Sequence, residues 1–277
     1  MNGQDTSEPD RDAPADGSHQ SFDTSVAHVA RVYDYWLGGK DNFAADRKLA
    51  KQFMAADPFV TMGVRSNRAF LGRAVRYLAA EAGVRQFLDI GTGIPASDNT
   101  HEVAQRAAPD ARIVYVDNDP IVLAHARALL TSDPAGRTDY LDADLRDTDA
   151  ILAAAARTLD FTRPVAIMLI GVLHCIPDAD DPGQIVARLV SAVPSGSYLA
   201  ISHPAADIHP DGMAKGAALM NKSMAGSITF RPRDQVAAMF GDLELVEPGL
   251  VSTTQWRPDP GVSTRPLPGW AGVARVP

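Results

Sequence analysis

Cys175 is the only cysteine among 277 residues, so no disulfide can form within the chain, and a reducing, cytoplasmic setting is the simplest expectation. With one thiol the usual zinc patterns are also missing. His28, His101, His125 and His209 are scattered without ligand spacing, so no metal site is expected. Long hydrophobic runs are absent as well. The longest apolar stretch, Val165 to Ile176, is about half of the roughly 20 residues a membrane span needs and reads as a buried strand. No basic opening is followed by an apolar run, so no secretory signal is visible. Nor is there an excess of positive charge: Lys plus Arg is 26, Asp plus Glu is 34, and the formal net charge is −8. A chain-wide nucleic-acid footprint is not expected on that ground, nor is a membrane partner. The acidity is itself local. Asp5, Glu8, Asp10, Asp12, Asp16 and Asp23 face a single base, Arg11, before residue 26, which leaves −3 for the rest.

What is present is a tail, a helical segment and an alternating α/β core. Residues 1–24 nearly lack large apolar side chains and are expected to be disordered. Residues 25–84 read as helices: one from an N-cap at Ser25 through Tyr35, broken at Gly38-Gly39; one over Ala44–Ala56, stopped by Pro58; and one over Val60–Ala82, ended by Gly83. Residues 85–277 read as strand–helix alternation. Strands are expected at Gln86–Ile90, Arg112–Val116, Thr138–Leu141, Val165–Leu173 and Ser197–Ser202. Helices are expected over residues 99–108, 120–131, 147–159 and 182–193. Five strands linked this way make a parallel sheet. A Met-bearing helical insert at 204–227 and a helix over 232–240 follow. Two last strand candidates flank a Pro-rich stretch from Trp256 to Trp270.

The first strand ends in Asp89-Ile90-Gly91-Thr92-Gly93, glycines at the carboxyl end of a parallel strand, where such sheets bind ligands. Two cofactor classes compete for this turn. Gly91, Gly93 and Ala96 fit G-x-G-x-x-A, and Asp117 stands 21 residues after Ala96, near the spacing of a dinucleotide's ribose-binding acid. Pro95 and the polar run Ser97-Asp98-Asn99 delay the helix, however, so its N-terminus is poorly placed for a pyrophosphate. The second class, S-adenosylmethionine, carries no phosphate and needs acceptors for a cationic amino group and for ribose hydroxyls. Asp89 suits the first, Asp117 the second, and Asp144 after the third strand suits an adenine amino group. Thr92, Asn118, Leu145 and Gly171 adjoin these strand ends and are expected in the same pocket. This four-part constellation favours S-adenosylmethionine.

From Asp89-x-Gly91-x-Gly93 through Asp117 and Asp144 the sequence resembles a class I S-adenosylmethionine-dependent methyltransferase. More narrowly, the run from Ala30-Arg31-Val32-Tyr33-Asp34-Tyr35-Trp36-Leu37-Gly38-Gly39-Lys40 to Arg47 resembles the opening signature of an actinobacterial methyltransferase family of unassigned substrate. So do Phe87 to Val103, Tyr115 to Pro120 and Gln255-Trp256-Arg257-Pro258. The resemblance covers about residues 25–277. It implies a Rossmann-like, seven-stranded, mostly parallel sheet with the last strand antiparallel, and an N-terminal helical extension that closes over the cofactor. Pro95 departs from the third glycine of the general loop.

On that expectation Tyr33, Lys40, Asp41 and Asn42 line a lid, with Lys40 meeting the methionine carboxylate; the plain alternative is an exposed helix-turn-helix with an internal salt bridge. His174, after the fourth strand, is a general-base candidate at neutral pH or an orienting residue. Tyr33 is the second catalytic candidate, and His203 a weaker one. Cys175 reads as a small buried residue. Met213, Met220 and Met224 form either core or an adaptable substrate wall. Arg65, Arg68, Arg231 and Arg233 read as solvated helix ends, and no Asn-Pro-Pro-aromatic motif follows the fourth strand. The expected activity is methyl transfer to a small molecule whose identity, like the oligomeric state, the sequence does not give. An NAD-dependent oxidoreductase and a non-catalytic S-adenosylmethionine-binding sensor are the alternatives.

Overall fold

The structure, a computed structural model, describes residues 23–122, 132–224 and 226–277. Nearly all of the acidic tail and most of the helix expected over 120–131 lie outside the described residues. Eight strand segments form one sheet: β1 Gln86–Ile90, β2 Arg112–Asp117, β3 Arg137–Asp142, β4 Ala166–Ile170, β5 Tyr198–Pro204, β6 Glu244–Leu245, β7 Val251–Ser252 and β8 Gly269–Arg275. The order is β3-β2-β1-β4-β5-β8-β6, with β7 also on β8. The first five strands run parallel and β8 antiparallel to β5. β6 pairs with Ala274 and Arg275, and β7 with Trp270 and Ala271, so the two short segments share the outer side of β8. The expected seventh position is thus filled by two pieces.

Alternation along the strands separates two apolar layers. Leu88, Ile90, Val114, Val116, Ile167 and Leu169 pack with α5 (Thr148–Ala155), α6 (Pro182–Val190) and α8 (Arg233–Ala238). Phe87, Ile113, Met168 and Ile170 pack with α3 (Val60–Arg76) and α4 (Thr100–Ala107). A third cluster joins α1 (Val29–Leu37), α2 (Ala44–Ala56), the start of α3 and α7 (Pro210–Ser223) through Val32, Trp36, Leu49, Phe53, Val60 and Met220.

Several boundaries differ from the expectation for local reasons. The N–H and Oγ of Ser25 both donate to Asp23 Oδ1, at 2.8 and 2.6 Å, so Ser25 closes its own turn and α1 begins only at Val29. The α-helical path of α3 ends at Arg76 and continues as a π turn over Tyr77–Glu81. β4 stops at Ile170 rather than Leu173, because Gly171 takes φ +67° and starts a 3-10 turn at Leu173–Cys175. The Pro-rich stretch is anchored: Trp256 is fully buried, and Arg73 donates to the carbonyls of Trp256 (2.8 Å) and Thr253 (2.6 Å).

Candidate cofactor and acceptor site

The carboxyl ends of β1, β2 and β4 open into a cavity of about 260 Å3. Of the sequence candidates, Tyr33, Asp89, Gly91, Thr92, Gly93, Asp117, Asn118, Asp144, Leu145, Gly171 and His174 all line it. Gly91 sits at φ +74°, and a Cβ there would collide with the Val172 side chain. The turn therefore needs glycine both for its backbone angle and for the approach of the β4 turn.

Asp89 is buried and accepts a 2.5 Å bond from Thr100 Oγ1. Burial pushes its carboxyl up to about 6. Asp117 Oδ2 accepts from Gly93 N (2.9 Å) and Oδ1 from Asp119 N (2.9 Å), so this carboxylate staples the glycine turn to the β2 end. Burial raises its pKa. Asp144 is more exposed. Its oxygens take Arg146 N (2.9 Å) and Nη1 (2.8 Å), with Asn118 Nδ2 at 3.4 Å. Most of its acceptor capacity is already engaged.

The long N-terminal signature serves the fold more than the cavity. Asp34 accepts from Asp41 N (3.0 Å) and Asn42 Nδ2 (2.7 Å). Asp46 accepts from His28 N (2.9 Å) and Phe43 N (2.8 Å) and stands 3.5 Å from Arg31 Nε. Lys40 is exposed and does not line the cavity; neither do Asp41 and Asn42. The link to the site runs instead through His28, whose Nδ1 lies 2.9 Å from Asp119 Oδ2. Burial alone would raise Asp119; the neighbouring His28 outweighs it and holds the carboxyl below its ordinary value.

Tyr33 does reach the cavity. Its hydroxyl donates to Val64 O (3.1 Å) and accepts from Asn67 Nδ2 (3.0 Å), while Asn67 Oδ1 accepts from Ser202 Oγ (2.5 Å). With its proton committed and its pKa raised by burial, Tyr33 is a strut between elements rather than a base. Asn67 and Arg68 are cavity residues that sequence reading missed, because polar residues on α3 look the same whether they face water or a site. Arg68 donates to Ser97 O at 2.9 Å. Arg231, expected to be solvated, is 1% exposed.

A second cavity of about 90 Å3 lies behind the first, with Tyr33, Asn67, Gly171 and His174 in the walls of both. Its other walls are mostly apolar: Trp36, Phe53, Val60, Met213, Met220 and Phe230. Met224 lines the larger cavity instead. His174 is pushed down to about 3 by burial, with His203 and Arg231 adding to the effect. His203 falls to about 4, again chiefly through burial. Its Nδ1 stands 2.9 Å from Pro204 O and its Nε2 3.1 Å from Arg231 Nη1, which fixes the neutral tautomer with the proton on Nδ1. Burial likewise raises the Cys175 thiol to about 12, so it stays protonated and inert. Among the described residues no group of three His, Cys, Asp or Glu could hold a metal, and no helix is long and apolar enough to cross a membrane.

A neutral buried His174 makes stability pH-dependent. The unfolded chain takes up this proton below about 6.5 and the folded one only near 3, so folding loses stability as pH falls through that window. The wild-type urea midpoint is expected to fall more steeply below pH 6 than that of His174→Asn, by about one proton's worth, or roughly 1.4 kcal/mol per pH unit. Parallel curves would remove the buried neutral imidazole from the account.

A parallel sheet of this order with one antiparallel strand, and carboxylates after three strands around one cavity, defines a class I methyltransferase architecture. The profile of a family described as S-adenosyl methyltransferase matches residues 15–277, and the chain belongs to that family; its cofactor is S-adenosylmethionine. A DUF574 family protein from Streptomyces avermitilis MA-4680 is 45% identical, with 92% of this chain and 99% of that chain covered and a TM-score of 0.88. A structure described as a candidate methyltransferase from Thermobifida fusca YX is 43% identical over 91% and 95%, with a TM-score of 0.83. The mitomycin 7-O-methyltransferase MmcR shares the fold at 16% identity, over 89% and 68%, with a TM-score of 0.50. No curated protein matches the chain.

Proposed function

We propose that this chain methylates a small molecule seated in the inner cavity, with the cofactor in the larger one. The observation that carries the reading is the wall the two cavities share, built by Tyr33, Asn67, Gly171 and His174. The larger cavity fits the cofactor chemically. Asp117 offers two partly free carboxylate oxygens for ribose hydroxyls, and Asp89 offers negative charge for the amino group, with Arg68 on the same wall. Asp144 keeps one acceptor site for the adenine edge.

S-adenosylmethionine, when bound, supplies an electrophilic methyl group on a sulfonium. The protein's own contribution is placement and exclusion of water. Tyr33, locked by Asn67 and Val64, holds the N-terminal extension against α3 and fixes the passage between the cavities. His174, neutral across the physiological range, is too weak a base to take a proton efficiently. Its Nδ1 is buried without a partner among the described residues, and its role is to hydrogen-bond and orient the acceptor atom.

A dinucleotide fits less well. α4 begins at Thr100, seven residues beyond Gly93, and Glu102 caps that N-terminus by accepting from Asn99 N at 2.9 Å. A carboxylate occupies the place where a pyrophosphate would sit. Titration calorimetry tests the reading: S-adenosylhomocysteine is expected to bind and NAD to give no heat. NAD binding without S-adenosylhomocysteine binding would overturn it.

A further inference from the structure

The inner cavity contains a feature that core packing does not explain. Asp57, the residue just after α2, is 1% exposed and lies in the cavity wall. Its Oδ1 accepts from Phe59 N at 3.0 Å, while Oδ2 is buried with no hydrogen-bond partner among the described residues. A buried carboxylate oxygen without a donor is costly, and proteins retain one where a partner arrives from outside. The other polar walls offer no positive charge to meet it: Tyr33, Asn67, Ser202, His174 and His203 are neutral, the two imidazoles because burial holds them so. The nearest guanidinium behind His203 is that of Arg231, and it is spent on Asp178 Oδ1 at 2.7 Å. No lysine or arginine lines this cavity.

The rest of the wall suits an apolar cation. Trp36, Phe53 and Phe230 surround the space with aromatic rings, Trp36 and Phe53 at a centroid distance of 5.0 Å and Phe53 and Phe230 at 6.4 Å. Ring faces favour ammonium groups, and Met213 and Met220 adapt to irregular apolar shapes. At about 90 Å3 the space is smaller than the ~150 Å3 apolar cavity that takes up benzene, so only a compact group fits.

We propose that the inner cavity recognises a compact, amine-bearing apolar molecule whose ammonium pairs with Asp57 and whose opposite end reaches the shared wall at His174. This inference rests on the methyltransferase reading and names its acceptor class. The ammonium end is the anchor, and the group presented at Gly171 and His174 is the one open to methylation.

Binding of small probes to the wild-type protein preloaded with S-adenosylhomocysteine tests the proposal. Isobutylamine, its neutral isostere isobutanol and the anion isobutyrate, each small enough for a space of about 90 Å3, are compared by calorimetry and by thermal shift. Isobutylamine is expected to bind about tenfold or more tighter than isobutanol, with isobutyrate silent. In Asp57→Asn, which keeps an oxygen for Phe59 N, the amine is expected to fall to the level of the alcohol while the alcohol is unchanged. Equal binding of amine and alcohol by the wild type, or no binding of the amine at millimolar concentration, overturns the proposal whether or not the variant folds. An unchanged amine affinity in Asp57→Asn overturns it as well. Binding of S-adenosylhomocysteine is measured first and separately: its loss sinks the methyltransferase reading, whereas its presence without amine preference sinks only the role of Asp57.

Discussion

Asp117→Ala is expected to weaken S-adenosylhomocysteine binding by about a hundredfold or more. Two losses combine. The ribose hydroxyls would lose a charged acceptor, and hydrogen bonds to charged groups contribute roughly 1.5–3 kcal/mol each. The carboxylate also ties Gly93 N and Asp119 N together at 2.9 Å each, so its removal frees the glycine turn that shapes the cavity. Asp144→Ala is the informative comparison. Its carboxylate is already held by Arg146 at 2.8 Å, and its loss is expected to cost about tenfold or less. Calorimetry on both variants checks this. Equal losses, or an Asp117→Ala protein that binds like wild type, would place the ribose elsewhere.

Arg231→Met is expected to be the most damaging single change to the fold, lowering stability by roughly 2–5 kcal/mol and the melting temperature by about 10 °C. The guanidinium donates to Leu173 O (3.0 Å) and Ile176 O (2.7 Å), reaches Asp178 Oδ1, and meets His203 Nε2 at 3.1 Å. It thereby joins the turn that carries His174 to the end of β5. Methionine fills much of the volume but strips the Ile176 carbonyl of its guanidinium donor and leaves Leu173 O with Ile176 N alone, at 3.2 Å. Lysine is not a substitute, because a single ammonium cannot span these partners. Arg233→Ala is the control: that side chain is exposed, and its guanidinium hydrogen-bonds the Leu250 carbonyl and lies 5.9 Å from the Trp270 ring centroid, so a shift of a degree or two is expected. Comparable melting temperatures for the two variants would contradict the account.

That Asp89, Gly91, Gly93, Asp117 and Asp144 line one cavity was legible in the sequence because their placement is local. Asp89 and Asp117 lie in the last residues of β1 and β2, Gly91, Gly93 and Asp144 just beyond strand ends, and strands in a parallel sheet present their carboxyl ends together. β4 was overrun by three residues because Val172 and Leu173 are apolar enough to continue a strand; only the Gly171 backbone turn stops it. The N-terminal signature misled in an instructive way. Asp34, Asn42 and Asp46 are as polar as binding residues, yet their partners lie within the same segment or on His28 and Arg31. Only Tyr33 of the four lid candidates lines the cavity. The inner cavity was legible only in pieces: Tyr33, His174, His203, Met213 and Met220 are sequence candidates and line it, whereas Asp57, Asn67 and Phe230 are not. Asp57, Asn67, His203, Met213 and Phe230 come from five separate stretches, and no spacing along the chain records that they converge. Arg68 and Arg231 look solvated in the sequence for the same reason: charge in a sequence carries no mark of depth.

The divided outer side of β8 has a consequence for how the protein behaves in company. A sheet edge with a long row of free N–H and C=O groups is a template for another chain. Here that edge is two dipeptide segments with a turn between them, too short and too interrupted to seed a continuous ladder. At the opposite margin of the described sheet, β3 carries Arg137, Asp139 and Asp142 within six residues, and an incoming strand would have to strip water from all three. The molecule closes one flank by breaking its backbone and the other by charging it, and both devices oppose end-to-end growth of sheets at high concentration.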